Sequence, residues 1–255
     1  MVYHRIMLPA ERMSAVAFSA RNCALESMTI GPRTMSSARD YVRGRLGIDG
    51  FVERCGAGGD DLADCADAVF VRGLLLAEHP APFSGDLDEL RTIHRTLFGG
   101  VLAGAGELRS HDTASGAYDA SGAIAASPQA FFPCALLETG AANIASELAE
   151  ARNLHSLDRG AFVSRLAHFY DELGYLHPFA FGNAMVLRVF ASRLAHSAGW
   201  DLDWGTVDAE DYRRAKRLAY GGDASGFERL FASIVRPANP TRVFLIAGWD
   251  QGPAH

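Results

Sequence analysis

A histidine and a proline stand just ahead of a predicted helix start near position 180. Residues 175–188 read Tyr-Leu-His-Pro-Phe-Ala-Phe-Gly-Asn-Ala-Met-Val-Leu-Arg. His177 lies in a short loop that Pro178 makes rigid, and Gly182 and Asn183 lead into the helix. The first amides of a helix are free to bind an anion, and the helix dipole favours negative charge there. An imidazole beside such a site can act as a general base for attack at phosphorus.

Arg188 follows in the first turns of the same helix and can reach back toward a bound anion. The same residues also have a purely structural interpretation. A histidine between apolar residues is commonly a hydrogen-bonded structural group, and Gly-Asn before a helix is commonly only a cap. The residue types and their spacing leave both the functional and the structural interpretation open.

The elements that would position this loop are helices. Apolar residues at three- and four-residue spacing predict helices over 87–101, 161–173 and 185–197, with Asn183 as the N-cap of the last one. A further helical region over 209–235 is interrupted at Gly221 and Gly222. Strand signals are few and no repeat is visible, so the sequence predicts a mainly α single domain.

Composition excludes several classes of protein. The 255 residues carry a net charge of −6, which argues against partners that are nucleic acids or anionic membranes. No apolar run is long enough to span a bilayer. The four cysteines form no CxxC pair and predict no zinc site. The basic run Arg213, Arg214, Lys216 and Arg217 is interpreted as a solvated helix face.

The loop resembles the signature of the Fic family, His-Pro-Phe-x-(Asp or Glu)-Gly-Asn-Gly-Arg-x-x-Arg. The matching positions are His177, Pro178, Phe179, Gly182, Asn183 and Arg188. The stretch Ala105-Gly-Glu-Leu-Arg109 is also similar to the family's Trp-Ala-Gly-x-x-Arg segment, with Gly104 in place of tryptophan. The whole resembles the compact bacterial stand-alone members of the family.

The resemblance implies a mainly α fold, a single Fic-type helical domain with a short β-hairpin flap. We expect this domain over 37–237, with its core at about 86–204. Residues 1–36 are expected to form a poorly ordered tail, and 238–255 a C-terminal tail.

The implied activity is transfer of AMP from ATP, or of another nucleoside monophosphate from its triphosphate, to a Ser, Thr or Tyr hydroxyl of a protein target. The resemblance implies that His177 takes the hydroxyl proton, while Gly182, Asn183 and Arg188 bind the nucleotide phosphates. Magnesium would accompany ATP. The flap, which would add a strand to the target backbone, maps onto Gln129, Phe131 and Phe132. The implied location is the cytoplasm, or another cell reached through a secretion system.

Three positions depart from the signature. Phe181 occupies the place of the magnesium-binding acid, Ala184 replaces a glycine, and Met185 replaces the first arginine. One interpretation is a transferase with weakened or atypical catalysis. The alternative is a catalytically silent Fic-fold module that binds a nucleotide or a partner protein.

The family's self-inhibitory helix has the pattern Ser/Thr-x-x-x-Glu-Gly/Asn, and its glutamate pairs with the second arginine. Neither end of the chain contains a good match to this pattern. We therefore expect either a separate small inhibitor protein or no restraint on the enzyme.

Overall fold

The computed structural model describes residues 7–55, 65–114 and 130–238. Within these ranges the chain forms ten α-helices and two short strands. They are α1 (Pro9–Ala24), α2 (Pro32–Val42), α3 (Ile48–Cys55), α4 (Ala66–Glu78), α5 (Leu87–Phe98), α6 (Leu137–Glu150), α7 (Arg159–Leu176), α8 (Asn183–Ser197), β1 (Trp200–Leu202), α9 (Ala209–Tyr220), α10 (Ser225–Ile234) and β2 (Val235–Pro237). The prediction of a mainly α fold is confirmed.

The helix α8 is the centre of the molecule. All residues from Met185 to Ala195 on this helix are buried, because α1, α5, α7 and β1 pack around it. A helix that is covered on every side is typical of the core of a larger domain. The loop that precedes α8 is therefore held by several neighbouring helices at once.

The strands β1 and β2 pair antiparallel, with Asp201 opposite Arg236. The hydrogen bond from the Asp203 amide to the Ile234 carbonyl (2.9 Å) continues this contact. Trp204 follows β1 and is buried, and its indole N–H donates to Ser192 Oγ on α8 (2.8 Å). This small sheet thus ties the end of the domain to the central helix.

The prediction of a poorly ordered tail over 1–36 is wrong for the described residues of that range. Residues 9–24 form α1, which begins at Pro9 and is capped by Glu11, whose carboxylate accepts from the Leu8 amide (2.7 Å). The helix buries Ser14 and Ser19 together with Phe18. Because small polar residues share its buried face, α1 shows no clear hydrophobic period in the sequence.

The predicted flap lies partly outside the described residues. Residues 115–129, including Gln129, are not described. Ala114 and Ala130 form an isolated antiparallel bridge at the base of this segment. A short 3-10 turn at Cys134–Leu136 then leads into α6, so strand pairing in the described part of the predicted flap is limited to this bridge. Of the predicted C-terminal tail, only Ala238 is described.

Candidate active site

His177 ends α7 in the left-handed backbone conformation, with φ 45° and ψ 60°. This conformation carries the chain out of the helix while the His177 amide still donates to the Leu173 carbonyl (3.2 Å). The imidazole ring is half-buried and stacks on Phe131, with ring centroids 3.8 Å apart and planes 11° apart. The candidate base is therefore fixed against the base of the flap segment.

The imidazole is neutral at physiological pH. Burial lowers the pKa of His177 to about 4, and the positive charges of Arg109 and Lys216 lower it further, against a hydrogen bond to the Gly174 main chain. A neutral imidazole has a free nitrogen lone pair that can accept a proton.

Gly182 forms the turn between the histidine loop and α8. Its φ is 72°, and a Cβ atom at this position would come within 2.5 Å of Phe98 Cζ. Both facts require glycine. Gly182 rather than Asn183 is the N-cap of α8, so the predicted N-cap is displaced by one residue.

The side chain of Asn183 stabilises the histidine loop through two hydrogen bonds. Its side-chain oxygen accepts from the Phe179 amide (3.0 Å), and its side-chain nitrogen donates to the Phe179 carbonyl (2.7 Å). The first helical hydrogen bond runs from the Val186 amide to the Gly182 carbonyl (3.1 Å). The backbone amides of residues 183–185 precede this bond and lie where a helix can bind an anion.

Arg188 is fully buried and paired within the chain. Its Nε donates to Asn22 Oδ1 (2.6 Å), its NH1 group donates to Glu26 Oε1 (2.8 Å), and its NH2 group donates to the Asn22 carbonyl (3.1 Å). Its guanidinium also lies 4.9 Å from the centre of the Tyr212 ring. The arginine that was predicted to bind phosphate is thus occupied by the end of α1 and the turn that follows it.

Neither end of the chain has a good match to the self-inhibitory pattern, but Arg188 does pair with a glutamate from the N-terminal helical segment. Residues 22–27 read Asn-Cys-Ala-Leu-Glu-Ser, which differs from Ser/Thr-x-x-x-Glu-Gly/Asn only at the two outer positions. Ser27 has φ 60°, a left-handed conformation that glycine and asparagine adopt most easily. A search that tolerated Asn and Ser at these positions would have found Glu26.

Phe181 fills the position of the missing acid with aromatic packing. Its ring lies 5.2 Å from Phe98 and 5.0 Å from His94 between centroids. The described part of the chain contains no group of three His, Cys, Asp or Glu residues that could hold a metal ion. The residues present therefore do not fit a protein-bound magnesium ion at this position.

Ala184 and Met185, the other two residues that depart from the family signature, differ in exposure. Met185 is buried, with 1% of its surface exposed, and its carbonyl accepts from Asn22 Nδ2 (3.3 Å). Ala184 is half-buried and lines a cavity that also contains His177. Ala184 thus faces the candidate site, whereas Met185 packs in the core.

This cavity lies between the end of α7, the start of α8 and the helix α9. Its walls are largely aromatic and include Phe131, Tyr170, Tyr212, Tyr220 and Phe227.

Lys216, the single lysine of the chain, also lines this cavity, and its ammonium lies 5.7 Å from the centre of the Tyr212 ring. The interpretation of the basic run on α9 as a wholly solvated face is therefore wrong at Lys216. No local pattern in the sequence signals this contribution.

Phe131 and Phe132, the predicted flap residues that the structure describes, form hydrogen bonds and ring contacts within the chain. The Phe131 amide donates to the Thr113 carbonyl (3.0 Å), and the Phe132 amide donates to the Tyr175 carbonyl (3.1 Å). The ring of Phe132 packs edge-on against Tyr175 at 6.0 Å. Phe131 and Phe132 thus anchor the flap segment to the histidine loop.

Comparison with known proteins identifies the family of the chain. The sequence model of the Fic/DOC family matches residues 84–195. A probable protein adenylyltransferase Fic from Escherichia coli strain K12 is 32% identical over 157 residues, which cover 62% of this chain and 73% of that protein.

Solved structures of Fic proteins also align with this chain. The N-terminal Fic domain of a VirB-translocated Bep effector protein from Bartonella quintana aligns with a TM-score of 0.57 and 25% identity, over 68% of this chain and 81% of that one. The BepC protein from Bartonella tribocorum, solved with bound AMPPNP, shares the fold with a TM-score of 0.58 and 22% identity, over 67% of this chain and 84% of that one. The chain belongs to the Fic/DOC family.

Proposed function

We propose that this protein transfers AMP from ATP to a Ser, Thr or Tyr hydroxyl of a protein target. The observation that carries the proposal is the neutral His177, held beside the N-terminus of α8 and facing an aromatic cavity. The naming of the Escherichia coli relative as a protein adenylyltransferase supports the same reaction. BepC, a relative in fold, binds a nucleotide analogue.

In this reaction the target hydroxyl oxygen attacks the α-phosphorus of ATP. His177 takes the hydroxyl proton, the new O–P bond forms, and pyrophosphate leaves with the electrons of the broken bond. The amides at the start of α8 would stabilise the charge on the phosphate oxygens. The turn that presents these amides depends on Gly182, because its φ is 72° and a Cβ atom there would meet the ring of Phe98.

A pKa of about 4 makes His177 a weak base in the nucleotide-free protein. Part of this shift comes from the positive charges of Arg109 and Lys216. A bound triphosphate would offset these charges and raise the pKa of His177 toward its ordinary value. The imidazole would thus become a better proton acceptor once the nucleotide has bound.

The chain supplies little of the usual charge for phosphate binding. Phe181 offers no ligand for magnesium, and Met185 offers no positive charge. Any magnesium ion would have to arrive with the nucleotide. We therefore propose slow or atypical catalysis.

The pairing of Arg188 with Glu26 adds a restraint. Arg188 cannot bind a γ-phosphate while Glu26 and Asn22 occupy its three nitrogens. In line with the family's self-inhibitory pattern, we propose that the end of α1 and the following turn hold the enzyme inactive from within the chain. This restraint replaces the separate inhibitor protein that the sequence had suggested.

A second candidate function is favoured by the same contacts. An arginine that is fully buried against Tyr212 and paired with Glu26 also suits a permanently silent Fic fold. Such a protein would bind a nucleotide or a partner without chemistry.

Labelling separates the two functions. The protein is incubated with a cell lysate and α-³²P-labelled ATP, GTP, UTP or CTP in parallel, in the wild-type and Glu26→Gly forms. Labelled protein that disappears when His177→Ala is added to either form supports the transferase. Absence of label from all four nucleotides, with and without magnesium, supports the silent module.

Within the described residues, no helix is sufficiently long and apolar to cross a bilayer. We propose that the protein acts in the cytoplasm of its own cell or, like the translocated Bep effectors, in another cell.

A further inference from the structure

Arg109 lies at the junction of the histidine loop and the flap segment, with 5% of its surface exposed. It donates five hydrogen bonds to main-chain carbonyls. They run from Nε to His177 (2.7 Å), from NH2 to Leu176 (3.3 Å) and to Phe132, from NH1 to His111 (2.9 Å), and from its own amide to Pro178 (3.0 Å).

Three of these carbonyls belong to the turn that carries the candidate base. The carbonyls of residues 176–178 follow the end of α7, where a helix leaves its last carbonyls without intrahelical partners. The carbonyl of Phe132 belongs instead to the flap segment, and Phe131 beside it carries the ring on which His177 stacks. A single guanidinium thus joins both sides of this stacked pair.

A lysine at position 109 could not form the same set of hydrogen bonds. The guanidinium presents five N–H donors in one plane, whereas an ammonium group is a point charge on a flexible stem. The four carbonyls that surround the Arg109 side chain lie in different directions and require the fork. The carboxylate of Asp112 is 3.8 Å from NH1 and mostly exposed, so it neutralises the buried charge only weakly.

We propose that Arg109 is a positioning residue that holds the His177 turn and the flap base in one fixed geometry. This inference rests on the proposed function, because it assigns the arginine a role in the transfer step. In that role Arg109 sets the distance between the imidazole and a target bound at the flap. It makes no direct contact with a nucleotide bound in the cavity around His177, since the lining of that cavity does not include it, and its charge acts there only from a distance.

Arg109 also acts on His177 through its charge. The charged and titratable groups that face the imidazole are Arg109 from the loop and, around the cavity, Tyr170, Asp171 and Tyr175 from α7 and Tyr212, Lys216 and Tyr220 from α9. Both cations favour the neutral imidazole. Charge and geometry can therefore be separated by two substitutions of the same arginine.

The experiment compares Arg109→Lys, which keeps the charge, with Arg109→Gln, which removes it. The expected result is that both variants lower kcat for transfer at least about tenfold, while the Kd for a non-hydrolysable ATP analogue changes less than about twofold. In an NMR titration of the imidazole, the pKa of His177 should rise in Arg109→Gln and change little in Arg109→Lys.

Arg91→Lys and Arg91→Gln are the matched controls, because the Arg91 side chain pairs with the exposed carboxylates of Asp88 and Glu138. These controls should match the wild type in kcat and in the titration of His177. Wild-type kcat in Arg109→Lys, or a His177 titration that Arg109→Gln leaves unchanged, would overturn the proposal.

The two proposals fail in different ways. If the wild-type protein transfers no nucleotide, the proposed function fails, but the NMR titration still tests the link between Arg109 and His177. If the Arg109 variants do not fold, the proposal is tested by hydrogen exchange of the Nε proton of Arg109 in the wild-type protein. If the Nε proton of Arg109 exchanges more slowly than that of Arg91, the positioning role of Arg109 is supported. Equally fast exchange of the two protons overturns it.

Discussion

Glu26 and Arg188 form an ion pair of 2.8 Å between residues that are 162 positions apart in the chain. The arginine side chain has no exposed surface, whereas 23% of the glutamate side chain is exposed. The end of the N-terminal helical segment thus reaches the one arginine of the family signature that this chain retains. The proposed restraint and the proposed phosphate-binding group thus meet in a single contact.

The ion pair predicts that Glu26→Gly activates the enzyme. Removing the carboxylate frees the NH1 group of Arg188 for the nucleotide, and we expect transfer to rise at least about tenfold in the labelling assay. The variant should also be less stable by about 1–3 kcal/mol, because a buried charge loses its partner. Asp40→Gly removes the surface pair with Arg45 (2.6 Å) and should leave the rate unchanged. Equal rates for Glu26→Gly and the wild type would contradict the proposed restraint.

Lys216→Met is predicted to change both the base and the binding of nucleotide. Because the charge of Lys216 lowers the pKa of His177, its removal should raise that pKa from about 4 toward 6.5. Nucleotide affinity should fall about threefold to tenfold, since the cavity loses a cation. NMR titration and calorimetry measure the two effects.

Arg213→Met is the control for Lys216→Met, because it removes the same charge from the exposed side of α9, where Arg213 pairs with Glu210 (2.9 Å). It should change neither quantity. If the two variants behave alike, Lys216 has no special position in the cavity.

Phe181→Asp is predicted to restore a response to magnesium. The new carboxylate would stand in the place that the family signature gives to the metal-binding acid. The variant should show transfer that rises with magnesium concentration, at a cost of about 2 kcal/mol in the free energy of unfolding from lost contacts with Phe98 and His94. Phe181→Leu loses the same ring without adding a ligand, so it should show no gain. A magnesium response equal to that of the wild type would show that position 181 does not face the phosphates.

Gly182→Ala is predicted to distort the turn into α8. The new Cβ would meet the ring of Phe98 and would also require an unfavourable left-handed backbone. Gly100→Ala is a matched control, because Gly100 has φ 73° but open space around the position of its Cβ. We expect Gly100→Ala to cost about 1 kcal/mol and Gly182→Ala clearly more, measured by denaturant unfolding. Equal costs would mean that Phe98 moves aside without penalty.

The protein is predicted to lose stability between pH 6.5 and 4 because of His94. This histidine is fully buried, and burial lowers its pKa to about 4, against a hydrogen bond between Nε2 and the Phe181 carbonyl (3.1 Å). Its Nδ1 accepts from the Gly106 amide (2.8 Å) and therefore needs the neutral ring.

The unfolded chain binds a proton below pH 6.5, whereas the folded chain does so only near pH 4, so stability falls as the pH falls through this window. At pH 5 the loss from His94 is about 2 kcal/mol relative to pH 7. Burial holds the pKa of His177 at about 4 as well, so this histidine adds a similar loss over the same window. Urea unfolding at both values measures the sum, and His94→Gln should remove about half of it. A wild-type stability that is flat over this range would contradict the burial of a neutral His94.

The sequence by itself determined the helical character of the domain and the family signature around His177. Helical period and glycine turns act over a few residues, which is why α8 and the loop before it could be predicted from local pattern. The same local reasoning misplaced the N-cap by one residue, because the Asn183 side chain turns back to Phe179 instead of capping the helix.

Only the tertiary structure decided the surroundings of this loop. Glu26 faces Arg188, Arg109 holds His177, and Lys216 faces the cavity because helices far apart in the sequence pack around α8. Short-range spacing carries no information about which distant side chains such packing brings together. Residues 9–24 show the same limit, since their polar residues are buried against partners that no local pattern specifies.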